Sequence, residues 1–554
     1  MNNWFKSGTP WIWLNAGAVA ISMVMVIGLI GLIAVRGLGH FWPSPIVEIS
    51  YTDEMGEEKR LLGEIRQSET LTAAAMRETG LEVPEEQELV TRHLLKQGNR
   101  DIFTRDFQWY LDDNMGEWDY PAEAVMLERQ EWGDFYGYLR EVREGGITVA
   151  TGKGALDTLQ ELAADSAALM AEVAQMDRYD IGAINRQIEQ LRLERRRVDM
   201  NDRLSDEEKQ ARFDDIQSQR EALEDEYEEL RSLRNEKRQQ AANASAIFEV
   251  MDGRMVEINF SNLVRATTPN VMSAREKFAE YFSRFWSFLS DYPREANTEG
   301  GIFPAIFGTV TMVIIMSIFV TPFGVLAAIY LREYAKQGPL TRAIRISVNN
   351  LAGVPSIVFG VFGLGFFVYF IGGNIDQIFY PESLPSPTFG TPGLIWVSLT
   401  LALLTLPVVI VSTEEGLSRI PKTVREGSLA LGATKAETLW RTVVPLASPA
   451  MMTGLILAVA RAAGEVAPLM LVGVVKLAPN LPVDGQFPYV HLERSIMHLG
   501  FHIYDVGFQS PNVEAARPLV YATSLVLVTI IIILNLTAIG IRNHLREKYK
   551  SESD

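Results

Sequence analysis

The chain has 554 residues, of which 47% are hydrophobic, and its formal net charge at pH 7 is −18. The charge is concentrated, because Glu48 to Glu299 carries 54 acidic and 32 basic residues, whereas the remainder has a small positive excess. This division predicts an acidic soluble part and a membrane part. The sequence contains no cysteine, which excludes a disulfide framework and gives no indication of the redox compartment.

The first predicted element is an apolar segment near the N-terminus. Trp11 to Val35 is long enough to cross a bilayer, which takes about 20 residues. Arg36-Gly37-Leu38 follows it directly, where a cleaved signal peptide would have small residues. We therefore expect residues 1–36 to be an uncleaved transmembrane anchor.

Residues 37–300 are predicted to form an α+β domain outside the membrane. Ile46 to Tyr51 alternates apolar and polar residues, and Asp252-Gly253 between two apolar runs indicates a tight hairpin. Apolar residues spaced by four and three predict an antiparallel coiled-coil hairpin at about residues 155–241, with a capping box at its turn formed by Ser205 and Glu208. A structural spacer and an arm for partner docking are both open as its role.

Five further apolar segments in residues 301–546 complete a set of six predicted spans. Each is long enough to cross the hydrocarbon core of a bilayer. They are Phe303 to Leu331, Ser347 to Ile371, Gly393 to Ser412, Ala450 to Val475 and Leu519 to Ile541.

Basic residues of the short connections predict the orientation of these spans. They cluster at Arg332, Lys336, Arg342 and Arg345, then at Arg419, Lys422, Arg425, Lys435 and Arg441, and in the C-terminal tail at Arg542, Arg546, Lys548 and Lys550. Lys and Arg accumulate in cytoplasmic loops, so both termini are predicted to be cytoplasmic, with residues 547–554 as a tail. Residues 37–300 are then periplasmic, because a long domain is translocated regardless of its charge.

The connection between the fourth and fifth spans carries a specific pattern. Its sequence from Glu426 to Pro445 is EGSLALGATKAETLWRTVVP, which we expect to form two helices with a break at Gly432 and an end at Pro445. Its first half is rich in small residues, which suits a helix that docks in a groove of another protein. The small residues are Gly427, Ser428, Ala430, Gly432 and Ala433.

This connection resembles the EAA loop of ABC importer permeases. Glu426, Ser428, Gly432 and Pro445 stand at the positions of that motif, and Gly427 stands where the family usually has alanine. The resemblance implies that the loop contacts an ATPase subunit. An ordinary amphipathic loop is the alternative reading of the spacing alone.

Four further stretches resemble the PstA family, the permease subunits of bacterial phosphate ABC importers. They are Pro322 to Leu331, Leu351 to Gly360, Thr413 to Leu417 and Ala460 to Leu469. The resemblance covers about Gly301 to Arg546. It implies an α-helical polytopic membrane protein with six transmembrane helices of the type I ABC importer permease fold, to which a large external domain is added between helices 1 and 2.

The same resemblance implies a function and a set of partners. The chain would be the permease subunit of an ATP-driven phosphate importer in the bacterial inner membrane. It would pair with a sister permease, PstC, two copies of the ATPase PstB and the periplasmic phosphate-binding protein PstS. ATP hydrolysis would belong to the ATPase, and no cofactor is implied for this chain.

Arg461 and Glu465 are the most costly residues of the predicted spans. A charged side chain at a helix centre costs about 2.5–3.5 kcal/mol on insertion scales, so each needs a partner or water. At a spacing of four they would share one helix face and pair. Either the pair locks helices together, or Arg461 lines the pathway and offers a planar positive fork to an oxyanion while Glu465 holds its rotamer.

Four prolines of the predicted spans are expected to interrupt the helical hydrogen-bond ladder, at Pro322, Pro355, Pro407 and Pro468. They could be hinges for alternating access or kinks that improve packing.

Other site types and functions are disfavoured. Thr151 to Gly154 lacks the first glycine and the final Ser or Thr of a phosphate loop, so ATP binding of that kind is excluded. No metal site is expected at His491, His498 and His502, which lack acidic or cysteine ligands at motif spacing. The alternative functions are a permease for sulfate or molybdate and a membrane-anchored sensor that signals through its coiled coil.

Overall fold

A computed structural model describes residues 7–52, 56–78, 88–103, 105–510 and 513–550. Residues 1–6 of the predicted anchor and 551–554 of the predicted tail lie outside this range. The chain divides into two compact units. One comprises residues 1–40, 288–293 and 301–554, and the other comprises residues 41–287 and 294–300. The first element, helix α1, is Thr9–Gly39, with Pro10 in its first turn.

The second unit begins with a five-stranded antiparallel sheet. Its strand order is β4-β3-β2-β1-β5, and helix α2 (Ala73–Glu78) follows β2. The buried side chains of Val47, Ile49 and Leu95 form its core, which confirms the alternation predicted for the first strand. The strands are β1 (Ile46–Thr52), β2 (Glu58–Thr72), β3 (Leu89–Lys96), β4 (Phe107–Leu111) and β5 (Met115–Asp119).

A second sheet of six strands has the order β10-β9-β7-β6-β11, with β8 paired to β7. The predicted tight hairpin is confirmed, because β9 and β10 pair antiparallel on either side of Gly253, whose φ is +83°. The strands are β6 (Ala124–Arg129), β7 (Phe135–Glu144), β8 (Ile147–Thr151), β9 (Ala244–Glu249), β10 (Met255–Asn259) and β11 (Leu263–Thr267).

Between β8 and β9 the chain forms a helical hairpin. Helix α3 (Ala155–Gln175) continues through a π-helical turn into α4 (Gly182–Asp199), and α5 (Asp206–Ala241) returns. The predicted capping box is confirmed, since Ser205 accepts from the Glu208 N–H and the Glu208 carboxylate accepts from the Ser205 N–H. The two arms bury Leu191, Val198 and Ile216 between them. Supercoiling of this hairpin stays a prediction.

One helix of this part of the chain was not predicted. Helix α6 (Ala274–Ser290) is amphipathic and holds six aromatic residues. Two-residue strands follow it, β12 (Pro293–Arg294) and β13 (Glu299–Gly300).

The remaining helices form the membrane unit. Met312, Met316 and Val320 of α7 pack with buried side chains of α11 and α14, such as Leu401 and Ala458. The helices are α7 (Phe303–Ile329), α8 (Pro339–Leu351), α9 (Ser356–Phe362), α10 (Gly373–Phe379), α11 (Leu394–Arg419), α12 (Lys422–Ala430), α13 (Lys435–Thr438), α14 (Val444–Ala463), α15 (Leu469–Val472), α16 (Leu499–Tyr504) and α17 (Val513–Lys550).

Six helical segments within the described residues are long and apolar enough to cross a membrane, which confirms the predicted number. Short π-helical turns join some of the helices into longer rods, so that α9 and α10 make one span. The spans are Thr9–Gly39, Phe303–Tyr334, Ser356–Phe379, Leu394–Arg419, Lys435–Ala463 and Ala516–Glu547.

The predicted boundaries of the third and fifth spans were wrong. The third span begins at Ser356 instead of Ser347, because α8 is a separate amphipathic helix that ends in a turn before Pro355. The fifth span ends at Ala463 instead of Val475, and a short helix, α15, follows the break. Local hydropathy does not detect these turns, since most of the residues in them are small or apolar.

Candidate functional site

Helix α12 begins at Lys422, four residues before Glu426, and the Glu426 to Pro445 loop turns at Gly432. The N–H of Ala433 donates to the carbonyl of Ser428 at 3.3 Å, and the N–H of Gly432 donates to the carbonyl of Leu429 at 3.0 Å. These two bonds, with a left-handed φ of +88° at Gly432, are the Schellman arrangement that ends many helices. The predicted break at Gly432 is therefore confirmed, and its cause is backbone geometry.

The second helix of the loop begins with a capping box that we had not predicted. Thr434 accepts from the N–H of Glu437 at 3.3 Å, and the Glu437 carboxylate accepts from the N–H of Thr434 at 2.9 Å. The Thr-x-x-Glu spacing in the sequence was the signal that would have found it.

Pro445 does not end the second helix, so that prediction was wrong. The helical segment runs without a break from Lys435 to Ala463, and a π-helical turn at Leu439–Val443 precedes the proline. Pro445 has no N–H to donate to the carbonyl four residues earlier, and the wider turn accommodates that missing bond. The second half of the loop, from Lys435, and the fifth span are consequently one continuous helical segment.

Arg425 fixes α12 to the ends of two spans. Its guanidinium donates to the carbonyls of Leu417 at 2.7 Å and Ile420 at 2.9 Å, and to the carboxylate of Glu333 at 2.9 Å. Glu333 belongs to the end of the second span, whereas Leu417 belongs to α11. Arg425 therefore holds α12 against the ends of both spans within this unit.

The far end of the loop presents apolar side chains. Leu431 is 91% exposed, and Leu429 and Trp440 are about half exposed. Glu426 and Gly427 are also exposed. We had expected a smooth surface of small residues, whereas the tip carries one fully exposed leucine beside them.

Two of the predicted small residues are partly covered. Ser428 forms a hydrogen bond of 2.9 Å with the hydroxyl of Thr438, which ties α12 to α13. Ala433 is half-buried, like Pro445. The predicted docking residues thus divide into an exposed set and a set that holds the two helices together.

Arg461 and Glu465 lie together, although not in the predicted way. The Arg461 Nε and the Glu465 Oε1 are 3.5 Å apart. Helix α14 ends at Ala463, and Glu465 follows in the turn at Gly464. The pair therefore spans a helix terminus, where the arginine charge also lies next to the carbonyl end of the helix dipole.

The four predicted helix breaks fall into two kinds. Pro322 lies within α7 and Pro407 within α11, as predicted. Pro355 and Pro468 lie outside helices, each directly before the first residue of one, at α9 and α15. A proline there costs no hydrogen bond, because the first N–H groups of a helix have no intrahelical acceptor.

Pro407 also lines a cavity of about 450 Å³. Its wall is largely apolar and includes the exposed side chain of Leu457, one turn of α14 before Arg461. The other lining residues are Asn349, Ala352, Val408, Val411 and Ser412.

His491 and His498 are buried and form hydrogen bonds within the protein. His498 is fully buried and caps α16 by accepting the N–H of Phe501 at 3.2 Å. Burial lowers the pKa of His498 to about 4, so the ring stays neutral at physiological pH. His491 lies against Asp484, and burial alone would raise the pKa of Asp484, but hydrogen bonds led by Arg494 hold it at about 2.

Comparison with known proteins agrees with this geometry. The family of binding-protein-dependent transport system inner membrane components matches residues 320–551. The phosphate transport system permease protein PstA 1 of Mycobacterium tuberculosis is 31% identical over 273 residues, which are 49% of this chain and 80% of that protein. The chain belongs to the PstA family of permeases.

Two further proteins are similar to this chain. The phosphate transport system permease protein PstA of Yersinia pestis is 31% identical over 251 residues, 45% of this chain and 75% of that protein. A solved structure of the inward-facing MetNI methionine ABC transporter is 17% identical, with a TM-score of 0.32, and covers 44% of this chain and 94% of that one.

Membership of the PstA family confirms the resemblance stated from the sequence and the predicted role as a permease subunit. The predicted fold class is confirmed as well, because the family match coincides with the helical membrane unit and an α+β domain is added between the first two spans. The matched residues include the whole Glu426 to Pro445 loop and the Arg461–Glu465 pair.

Proposed function

We propose that this chain is the transmembrane permease subunit of an ATP-driven importer of inorganic phosphate. The observation that carries the proposal is the exposed apolar tip of the Glu426 to Pro445 loop on a PstA-family permease. Leu429, Leu431 and Trp440 are all exposed in this loop, and an exposed apolar patch marks a surface that another protein covers. Several curated relatives are named as phosphate permeases, which supports phosphate as the substrate.

The proposed partners follow from the family. A sister permease, PstC, completes the pathway, two copies of the ATPase PstB bind the loops of the two permeases, and PstS delivers phosphate. ATP is hydrolysed by PstB, so this chain is not itself an enzyme. Both termini are cytoplasmic and residues 37–300 are periplasmic in this arrangement, which places the loop on the side of the ATPase. The proposed domains are the anchor 1–36, the extension 37–300, the permease domain 301–546 and the tail 547–554.

The continuous helix from Lys435 to Ala463 provides the coupling route. Arg461 stands 26 residues after Lys435, about 39 Å along the rod at 1.5 Å per residue. Movement of the loop with the ATPase would therefore be transmitted along one helix to the Arg461–Glu465 pair. Pro322 and Pro407 are proposed hinges within neighbouring helices, and Pro355 and Pro468 allow the chain to turn between helices.

Arg461 is proposed to line the pathway and to attract the phosphate oxyanion. The Arg461 side chain keeps about a third of its surface exposed, and its ion pair among the described residues is the 3.5 Å contact of its Nε with Glu465, which leaves the terminal nitrogens of the guanidinium for an anion. The nearby negative charge of Glu465 reduces the net attraction, which allows the anion to leave.

The decisive experiment is ATP-dependent uptake of radiolabelled phosphate into proteoliposomes that contain this chain with PstC, PstB and PstS. Uptake should be reduced by unlabelled phosphate and hardly at all by equal sulfate or molybdate. Competition by either of those oxyanions in place of phosphate would make the chain a permease for that substrate. Absence of ATP-dependent uptake of all three would contradict the importer function and favour the sensor.

The loop itself is tested with Leu431→Asp, which puts a charge at the proposed ATPase contact without disturbing the interior. We expect at least a tenfold loss of uptake, a magnitude equal to about 1.4 kcal/mol of binding free energy. Ile147→Asp is the matched control, since Ile147 is a similarly exposed apolar residue of the other unit. Equal uptake by the two variants would contradict docking at the loop tip.

A further inference from the structure

Helix α6 presents an aromatic face outward. Phe278, Phe282 and Trp286 are spaced by four, so they share one side of the helix, and they are 56%, 64% and 68% exposed. This arrangement is the reverse of an ordinary surface helix, which buries its apolar stripe. Three large exposed rings in one row form a continuous apolar strip.

On the opposite side of α6, charged side chains point toward the interior of the domain. Glu280 accepts from Arg284 at 2.7 Å and from Arg265 of β11 at 2.8 Å, and all three side chains are largely buried. These ion pairs orient the helix, because a rotation that buried the rings would take Glu280 and Arg284 away from their partners. These ion pairs therefore fix the aromatic strip in its outward orientation.

Near each of its ends, α6 contacts a residue that lies next to a membrane-spanning helix in the chain. At its C-terminal end, the carbonyl of Phe288 accepts from the N–H of Ile302 at 2.8 Å, and the second span begins at the next residue, Phe303. Near its N-terminal end, the Trp42 ring packs on Phe278 with centroids 5.2 Å apart.

Trp42 follows the end of the first span at Gly39 by only three residues. Three residues extend over at most about 11 Å, so Trp42 must lie close to the membrane surface where that span ends. Aromatic side chains concentrate at this level, where a ring can enter the hydrocarbon boundary while polar atoms stay in water.

We propose that α6 is an interfacial helix whose strip of Phe278, Phe282 and Trp286 lies in the headgroup region of the bilayer. Helices of this kind lie in the plane of the interface with their apolar face buried about 5–10 Å below the headgroup boundary. The leaflet is the periplasmic one if residues 37–300 are periplasmic. The role of the helix is to attach the extension domain to the membrane surface.

The test uses single cysteines, because the chain has none of its own. Phe282→Cys in the full chain is labelled with the environment-sensitive fluorophore NBD and reconstituted into vesicles of phosphatidylethanolamine and phosphatidylglycerol. The expected result is emission at shorter wavelength than in water, strong quenching by a nitroxide at the lipid headgroup, and weak quenching by iodide in the buffer.

Two controls use the same label. Met200→Cys lies in the turn between α4 and α5 and should report water by every measure. Ser283→Cys lies on the same helix, rotated by about 100° from Phe282, and should be quenched by iodide several-fold more than Phe282→Cys.

Two results would overturn the proposal. One is emission from Phe282→Cys that matches the Met200→Cys label. The other is a label that is exposed to iodide in the chain alone and shielded only after PstC or PstS is added, which would make α6 a protein contact. Neither measurement involves uptake or ATP, so the outcome is independent of the phosphate importer function.

Discussion

Gly432 combines a backbone constraint with an exposed position. Its φ of +88° belongs to the left-handed region, where a side chain costs roughly 1–2 kcal/mol. No described atom lies within 4 Å of the position that a Cβ would occupy, so space within this chain does not require glycine. A substitution at this residue can therefore distinguish an effect of backbone strain from an effect of contact with a partner.

Gly432→Asn separates them, because asparagine tolerates the left-handed region better than other side chains. If the ATPase covers Gly432, this variant should insert normally and lose most phosphate uptake, with PstB released on purification. The matched control is Gly253→Asn, whose glycine has φ +83° and equally open surroundings in the β9–β10 turn. Normal uptake by Gly432→Asn would show that the glycine serves only the turn.

Arg461 differs from Gly432 because its proposed role depends on charge and on shape. Lysine retains the positive charge but not the planar fork, whereas glutamine removes the charge. In a pathway role, Arg461→Gln should abolish uptake in a complex that still assembles, and Arg461→Lys should keep part of it. Both outcomes are measured as the rate of phosphate uptake, divided by the amount of assembled complex that is purified from each variant.

A purely structural pair gives a different result in the double variant. Removing only Arg461 leaves Glu465 without its partner, so assembly itself should fail, and Arg461→Gln combined with Glu465→Gln should restore it. Recovery of uptake in the double variant to near the original rate would contradict the pathway role.

Among elements, α12 is hydrogen-bonded to the ends of two spans through the guanidinium of Arg425. Arg425 bonds two main-chain carbonyls and the half-buried Glu333, which is 92 residues away in the sequence. Loss of Arg425 would leave these acceptors without their donor, at a cost of about 1–3 kcal/mol for each buried group that water cannot reach.

Arg425→Met should therefore loosen the loop and lower uptake several-fold while the chain still inserts. Limited proteolysis of inside-out vesicles should cut the loop faster than in the unchanged chain. Arg419→Met is the control, because Arg419 is exposed and lies 3.9 Å from an exposed Glu415. Equal cleavage rates for the two variants would show that Arg425 does not hold the loop.

Over the whole molecule, the proposed function requires the loop and the extension to lie on opposite sides of the membrane. Ser218→Cys, on exposed α5, should react in intact cells with a membrane-impermeant maleimide. Leu431→Cys should react only after permeabilisation. Leu431 is a better site than Ser428, whose side chain is hydrogen-bonded to Thr438. External labelling of Leu431→Cys would overturn the orientation and the ATPase contact together.

The sequence by itself determined the six spans, the tight hairpin at Gly253, the capping box at Ser205 and the helix break at Gly432. Each of these depends on residues close together in the chain, such as an apolar run of sufficient length or a glycine that accepts a left-handed φ. The family also followed from local patterns, because the EAA loop and the four matching stretches are short contiguous motifs.

Only the tertiary structure decided how these elements end and what they contact. The bond between Arg425 and Glu333 joins distant residues, and no periodicity encodes it. Pro445 continues a helix while Pro468 precedes one, since the effect of proline depends on whether the surrounding helix can rearrange its bonds. The outward orientation of the aromatic face of α6 is likewise set by ion pairs with another element. A hydrophobic pattern shows which residues share a helix face, but it does not show whether that face points toward the protein or away from it.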